Sequence, residues 1–137
     1  MIAFRPVPGR ARGAPRPLLD IYFEATMTAA QTSLLDTGAA GVRLSAELAR
    51  ALGVELPDAP NAPDVIAGGV RSHAYRLQRQ QLAVELGGTL VKWTAPVTFC
   101  DPWPHPFGLL GLAGFFDSFD VLFQGRDNRF DITGRGE

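Results

Sequence analysis

The residues best suited to chemistry lie in Leu34-Leu35-Asp36-Thr37-Gly38-Ala39, where two leucines lead into a single carboxylate followed by a small hydroxyl residue and a glycine. A carboxylate at the end of an apolar strand can take a proton from water as the oxygen attacks an electrophile. Two carboxylates around one water do this better: at close range they cannot both ionise, so one stays protonated as an acid while the other serves as a base. The segment occurs once in 137 residues, so a site built from two such segments would draw the second from another chain. The bare triplet Asp36-Thr37-Gly38 is also a good turn, and such a triplet arises by chance in roughly a few per cent of chains this long. Context has to decide between the two.

The other reactive side chains form no comparable group. Cys100 is the only cysteine, which excludes an intrachain disulfide, and it reads as a small hydrophobe at a strand end. His73 and His105 are the only candidate bases for it, and no motif surrounds either. One cysteine and two well-separated histidines make no zinc-ligand pattern. Gly68-Gly69 is too short for a phosphate-binding loop and precedes no helical pattern. The expected chemistry is therefore free of metals and cofactors.

Composition narrows the classes further. A chain of this length suits one core, and 46% hydrophobic with 20% charged residues and a net charge of -1 describe a globular protein with no general attraction to polyanions. Neither nucleic acid nor membrane is an expected partner. No apolar run approaches the ~20 residues that span a bilayer, and Met1-Ile2-Ala3-Phe4-Arg5-Pro6 contains no secretory h-region; a cytoplasmic protein is expected.

Residues 1–16 carry Arg5, Arg10, Arg12 and Arg16 among Pro6, Pro8 and Pro15. They read as a basic Pro/Gly-rich arm ahead of a domain at 17–137, with Ile2-Ala3-Phe4 able to add to a sheet edge. From Leu18, Leu19, Ile21 and Phe23 alternate with Asp20, Tyr22 and Glu24, which predicts a half-buried strand. Gln31 to Asp36 predicts the next. Ser45 caps a predicted helix over Ala46 to Leu52 that buries Leu48, Ala49 and Leu52 and stops at Gly53. After the loop marked by Pro57, Pro60 and Pro63, Val65-Ile66 and Val70 to Leu77 flank Gly68-Gly69 as a hairpin. A second hairpin joins Leu82 to Leu86 with Leu90 to Cys100 through Gly87-Gly88. Prolines 102, 104 and 106 make 101–106 a loop. Leu109-Leu110-Gly111 reads as a short strand entering a helix over Leu112 to Phe119, with Asp117 and Asp120 near its end, and Val121 to Phe123 with Arg129 to Thr133 as a closing hairpin. Seven or more short strands and two small helices predict an all-β, barrel-like domain. Tyr75 and Trp93 read as core or barrel-surface residues, and His73 as a surface residue.

Two of these elements together resemble the retropepsins, the single-domain aspartic proteases of retroviruses and their bacterial relatives. Leu34 to Ala39 match that family's hydrophobic-Asp-Thr-Gly-Ala strand and loop. Leu109-Leu110-Gly111, followed by Gly114-Phe115-Phe116-Asp117-Ser118-Phe119-Asp120-Val121, resembles the strand that threads the loop. Val65 to Ser72 fall where the substrate-covering flap belongs, and the resemblance extends over about residues 17 to 133.

What the resemblance implies is an aspartic endopeptidase with a retropepsin-like β-barrel, active as a homodimer on an extended peptide or protein substrate. Asp36 from each subunit would form the dyad, Thr37 would hydrogen-bond across to the other chain, and Gly38 would help hold a carboxylate oxygen. Ala39 and Leu110 by the loop, and Gly68, Gly69 and Val70 in the flap, would contact substrate. The chain departs from retroviral members in having Leu112-Ala113 where an Arg usually follows the second Gly, in Ala40 at a commonly polar position, in a less Gly-rich flap, and in the Pro-rich loop at 101–107. These departures motivate an alternative: a non-catalytic retropepsin-like module for peptide binding or assembly.

Overall fold

The computed structural model describes residues 1–10, 13–27 and 29–134. Ala11 and Arg12 of the basic arm, Thr28, and residues 135–137 at the end of the expected domain lie outside the described residues. Among the described residues ten strands and one short α-helix follow in the order β1 (Ile2–Ala3), β2 (Leu18–Phe23), β3 (Gln31–Leu35), β4 (Val42–Ser45), α1 (Ala46–Ala51), β5 (Ala62–Ala67), β6 (Val70–Leu86), β7 (Thr89–Asp101), β8 (Gly108–Leu110), β9 (Phe119–Gln124) and β10 (Arg129–Gly134), with single 3-10 turns at Glu24–Thr26 and Gly125–Asp127.

Hydrogen bonding runs β2-β3-β8-β4-β7-β6, and β6 pairs back onto β2 through Ile21↔Val84 and its neighbours, so these six strands close into a barrel. Closure removes the open edges that would otherwise invite pairing with other chains. The long β6 does two jobs. It pairs with β7 along its length, while its other edge pairs with β2 in the second half, closing the barrel, and with β5 in the first half, as a hairpin. The change occurs at an irregularity between Leu77 and Gln80, where an unpaired residue bends and twists a strand. The sequence pattern reads this strand as two pieces, 70–77 and 82–86, because polar Gln78, Arg79, Gln80 and Gln81 interrupt its apolar alternation.

Phe23, Phe99, Phe115, Phe130, Ile21 and Leu82 fill the interior without solvent exposure. Burying side chains of this size stabilises the fold by about 1.5–3 kcal/mol each before entropy is counted. Ser45 accepts a hydrogen bond from the Leu48 amide at 3.3 Å, the N-cap expected for α1. Leu48 itself is exposed, contrary to the expectation of burial. Ala46 and Ala49 form the inward face, and Leu48 lies about 100° around the helix from Ala49.

The second predicted helix is replaced by wide turns. Phe116 and Asp117 donate to Gly111 and Leu112 five residues back, and only Phe119 bonds four residues back, to Phe115. Gly114 has φ +98°, which no helix can continue, and its N–H is taken by the Asp117 carboxylate at 3.0 Å. The carbonyl of Gly114 accepts from the Trp93 indole at 2.8 Å, while Trp93 packs edge-on against Phe115 and Phe119. A staple of this kind joins positions far apart in sequence.

A second sheet has the order β1-β10-β9. Ile2 and Ala3 pair with Phe130 and Arg129, and Arg5 makes two hydrogen bonds to Asp20 at 2.7 and 3.1 Å. These contacts lay the first residues of the N-terminal segment against the sheet and the barrel.

Candidate active site

Asp36 follows the last residue of β3, at the start of a loop spanning 36–41 that returns as β4. Strand β8 lies between the two, parallel to β3 and antiparallel to β4. The loop closes around the end of β8 through three main-chain bonds: Asp36 N–H to the Leu110 carbonyl, Leu112 N–H to Ala39 and Ala113 N–H to Ala40, each 3.0 Å. Gly111 sits inside the loop. A Cβ there would lie 2.5 Å from the Ala39 carbonyl oxygen and 2.8 Å from the Gly41 nitrogen, closer still to the Gly41 oxygen, so no side chain fits.

The loop fixes Asp36 from both directions. Its carbonyl accepts from the Ala39 amide at 3.1 Å, and its Oδ1 accepts from the Gly38 amide at 2.8 Å. The side chain is half-buried. Thr37 and Gly38 are exposed beside it, and Ala39 is buried.

Asp36, Gly38 and Ala39 form one wall of a cavity of about 690 Å³. The β5–β6 hairpin from Ala62 to Gly68 also lines it, and the turn at Gly68 and Gly69 has φ +56° and +77°. Two successive positive values are those of a type I′ turn, the connection the Gly-Gly pair predicts. Arg43, Thr98 and Arg76 line the cavity as well.

The expected substrate contacts separate here. Ala39 and Gly68 line the cavity. Gly69 and Val70 complete the turn and are not among its lining residues. Leu110 has no exposed surface and lies in the core, and its carbonyl accepts from the Asp36 amide of the loop. The cause is geometric, because β8 is paired on both sides and buried along its length.

The hairpin tip rests on the 101–107 loop. The Cβ position of Gly68 is 3.0 Å from His105 Cε1 and 3.4 Å from Pro104, and the Ser72 hydroxyl donates to the Pro102 carbonyl in a short hydrogen bond. Within the loop His105 stacks on Phe107 at 4.9 Å, Trp103 meets His105 edge-on, and the Trp103 indole donates to the Phe107 carbonyl at 2.8 Å. His105, Phe107, Arg43, Thr98 and Arg76 are cavity residues that lie outside the sequence motifs. Their signals are weak but present: Arg43 alternates with inward Val42 and Leu44, and aromatic residues interleave the prolines of 102–107. His73 is a surface residue 3.6 Å from Asp64. Cys100 is fully buried, and burial pushes its thiol up to about 11, against the opposing influence of Arg43. It remains a neutral thiol. Among the described residues no helix is long and apolar enough to cross a membrane.

The chain matches no protein-family model, and no curated protein matches it. Among solved structures it is similar to a retropepsin-like aspartic protease from Rickettsia conorii, with a TM-score of 0.61 over 97% of each chain at 17% sequence identity. The chain thus has an all-β, retropepsin-like fold.

Proposed function

We propose that this chain is one subunit of a homodimeric aspartic endopeptidase whose site is completed when the Asp36 loops of two chains meet on a twofold axis. The observation that carries the reading is the position of Asp36: fixed by the Gly38 amide in a threaded loop, and lining a cavity that a two-stranded hairpin also lines. The fold likeness to a protein described as a retropepsin-like aspartic protease supports the same kind of activity.

In such a dimer the two carboxylates share one proton. The ionised Asp36 takes a proton from the bridging water as its oxygen attacks the scissile carbonyl. Asp36 of the partner subunit, protonated, donates to the carbonyl oxygen, and the tetrahedral intermediate collapses with protonation of the leaving nitrogen. The hydrogen bond from Gly38 holds one carboxylate oxygen and leaves the other for this exchange. Thr37, exposed next to Asp36, would hydrogen-bond to the other chain. The β5–β6 hairpin would pair with an extended substrate and exclude water.

One observation favours the non-catalytic alternative. The hairpin tip is braced by His105 and Pro104, which limits how far Gly68 can move over a substrate. Cleavage of a broad peptide library at mildly acidic pH separates the two readings. The protease reading expects turnover that statine-type transition-state mimics inhibit and that Asp36→Asn abolishes; binding without turnover by both proteins would establish the alternative.

A further inference from the structure

The cavity wall carries two arginines in one row of the barrel. Arg43 on β4 pairs in register with Thr98 on β7, and Thr98 pairs in register with Arg76 on β6. Residues in register point to the same face, and all three line the cavity. Two strand spacings separate Arg43 from Arg76 by about 10 Å at the backbone, a span their guanidinium groups can close from both sides onto one small anion above Thr98.

Among the described residues no ion pair neutralises these two arginines. Asp36 and Asp64 also line the cavity, but among the described residues neither forms an ion pair with Arg43 or Arg76. Asp64 instead lies 3.7 Å from Arg71 and 3.6 Å from His73. Arg43 also lies near the Cys100 thiol, which is uncharged. By contrast Arg5, Arg50 and Arg129 are each ion-paired to an aspartate. The wall is also held in place, since Asn61 bonds the Arg76 backbone on both sides, accepting from its N–H at 2.6 Å and donating to its carbonyl at 3.0 Å.

We infer that Arg43 and Arg76, with Thr98 between them, form a subsite for a carboxylate of the bound peptide, supplied by an Asp or Glu side chain or by a free C-terminus. The inference rests on the reading of this cavity as a peptide site. Guanidinium–carboxylate hydrogen bonds are charge-assisted and tolerate the fork geometry that a single lysine cannot offer. A substrate bearing an acid at this place would satisfy both arginines, and its neutral isostere neither.

The test reads binding apart from turnover. Full-length Asp36→Asn is titrated against fluorescein-labelled octapeptide libraries with Glu or Gln fixed at one position at a time, all C-terminally amidated, and against a Gln set with a free C-terminal carboxylate. Fluorescence anisotropy should show about tenfold tighter binding for Glu at one position or two neighbouring ones. A gain confined to the free-carboxylate set supports the subsite equally and assigns its ligand as the chain terminus. Arg76 is exposed, so its variants should fold: Arg76→Gln should remove the gain and Arg76→Lys should keep part of it. Equal affinity for all sets, or a preference that survives replacement of both arginines by Gln, overturns the subsite. If Asp36→Asn binds the Glu set selectively while the wild type fails to cleave it, the protease reading falls and the subsite stands. Absence of binding to any set overturns both.

Discussion

Gly111→Ala is the perturbation that tests the architecture of the site most sharply. The added methyl would lie 2.5 Å from the Ala39 carbonyl oxygen and 2.8 Å from the Gly41 nitrogen, about 1 Å inside the ~3.5 Å at which non-bonded heavy atoms rest. Both obstacles are backbone, so no rotamer change relieves them. The 36–41 loop must move outward by about that distance, which breaks the hydrogen bonds from Asp36, Leu112 and Ala113 that close it. Three net bonds at about 1 kcal/mol each amount to about 3 kcal/mol, or a fall of roughly 10 °C in Tm for a chain of this size. Gly108→Ala is the matched control. Its Cβ would meet chiefly the side-chain ends of Leu44 and Ser33, with one backbone atom, the Arg43 carbonyl oxygen, at 3.3 Å, so a smaller loss of about 1–2 kcal/mol is expected. Thermal denaturation followed by circular dichroism measures both. A Gly111→Ala protein melting within about 2 °C of the wild type, or one more stable than Gly108→Ala, would refute the threaded loop.

Two further outcomes concern what holds the site from outside. The Asp20 carboxyl is held below its ordinary value chiefly by the hydrogen bonds from Arg5, with burial pushing the other way. A depressed folded-state pKa contributes stability above the unfolded value of about 3.8 that is lost as pH falls through the lower folded value. Arg5→Ala should therefore cost up to about 1 kcal/mol at pH 6, allowing for the solvent exposure of the pair, and the difference from wild type should shrink as acid denaturation profiles enter that range; a gap independent of pH would contradict the assignment. Trp93→Phe keeps the aromatic packing on Phe115 and Phe119 but removes the bond to the Gly114 carbonyl, so chemical denaturation should register a loss of about 1–2 kcal/mol, and an unchanged midpoint would show that the indole N–H contributes nothing.

Local signals carried much of this fold. Gly68-Gly69 and Gly87-Gly88 mark their hairpins because successive positive φ values are open to glycine at little cost. The alternation of Leu19, Ile21 and Phe23, the Ser45 cap and the apolar approach to Asp36 are equally local. The failures are non-local. Phe115, Phe116 and Phe119 have the spacing of a helical face, yet main-chain bonds between 111–113 and the 36–41 loop, with the Gly114 conformation, hold the segment in turns. Arg43, Thr98 and Arg76 become neighbours only through the registers of three strands, which no window of sequence contains. His105 acquires its place under the hairpin tip through a stack on Phe107 and the packing of a proline-rich loop. The Asp36 motif was legible because its residue types are constrained by the loop they form; the walls of the cavity were not, because many residue types would satisfy the barrel there.

The claim that two chains each supply one Asp36 is tested most directly by subunit mixing. Wild type and Asp36→Asn are co-refolded in varying proportion at constant total protein, and peptide hydrolysis is measured at mildly acidic pH. A site built from two subunits loses activity as the square of the wild-type fraction, so an equal mixture should retain about a quarter of the wild-type rate. Retention of about a half, the proportion expected of independent single-chain sites, would contradict the account, as would hydrolysis by Asp36→Asn alone.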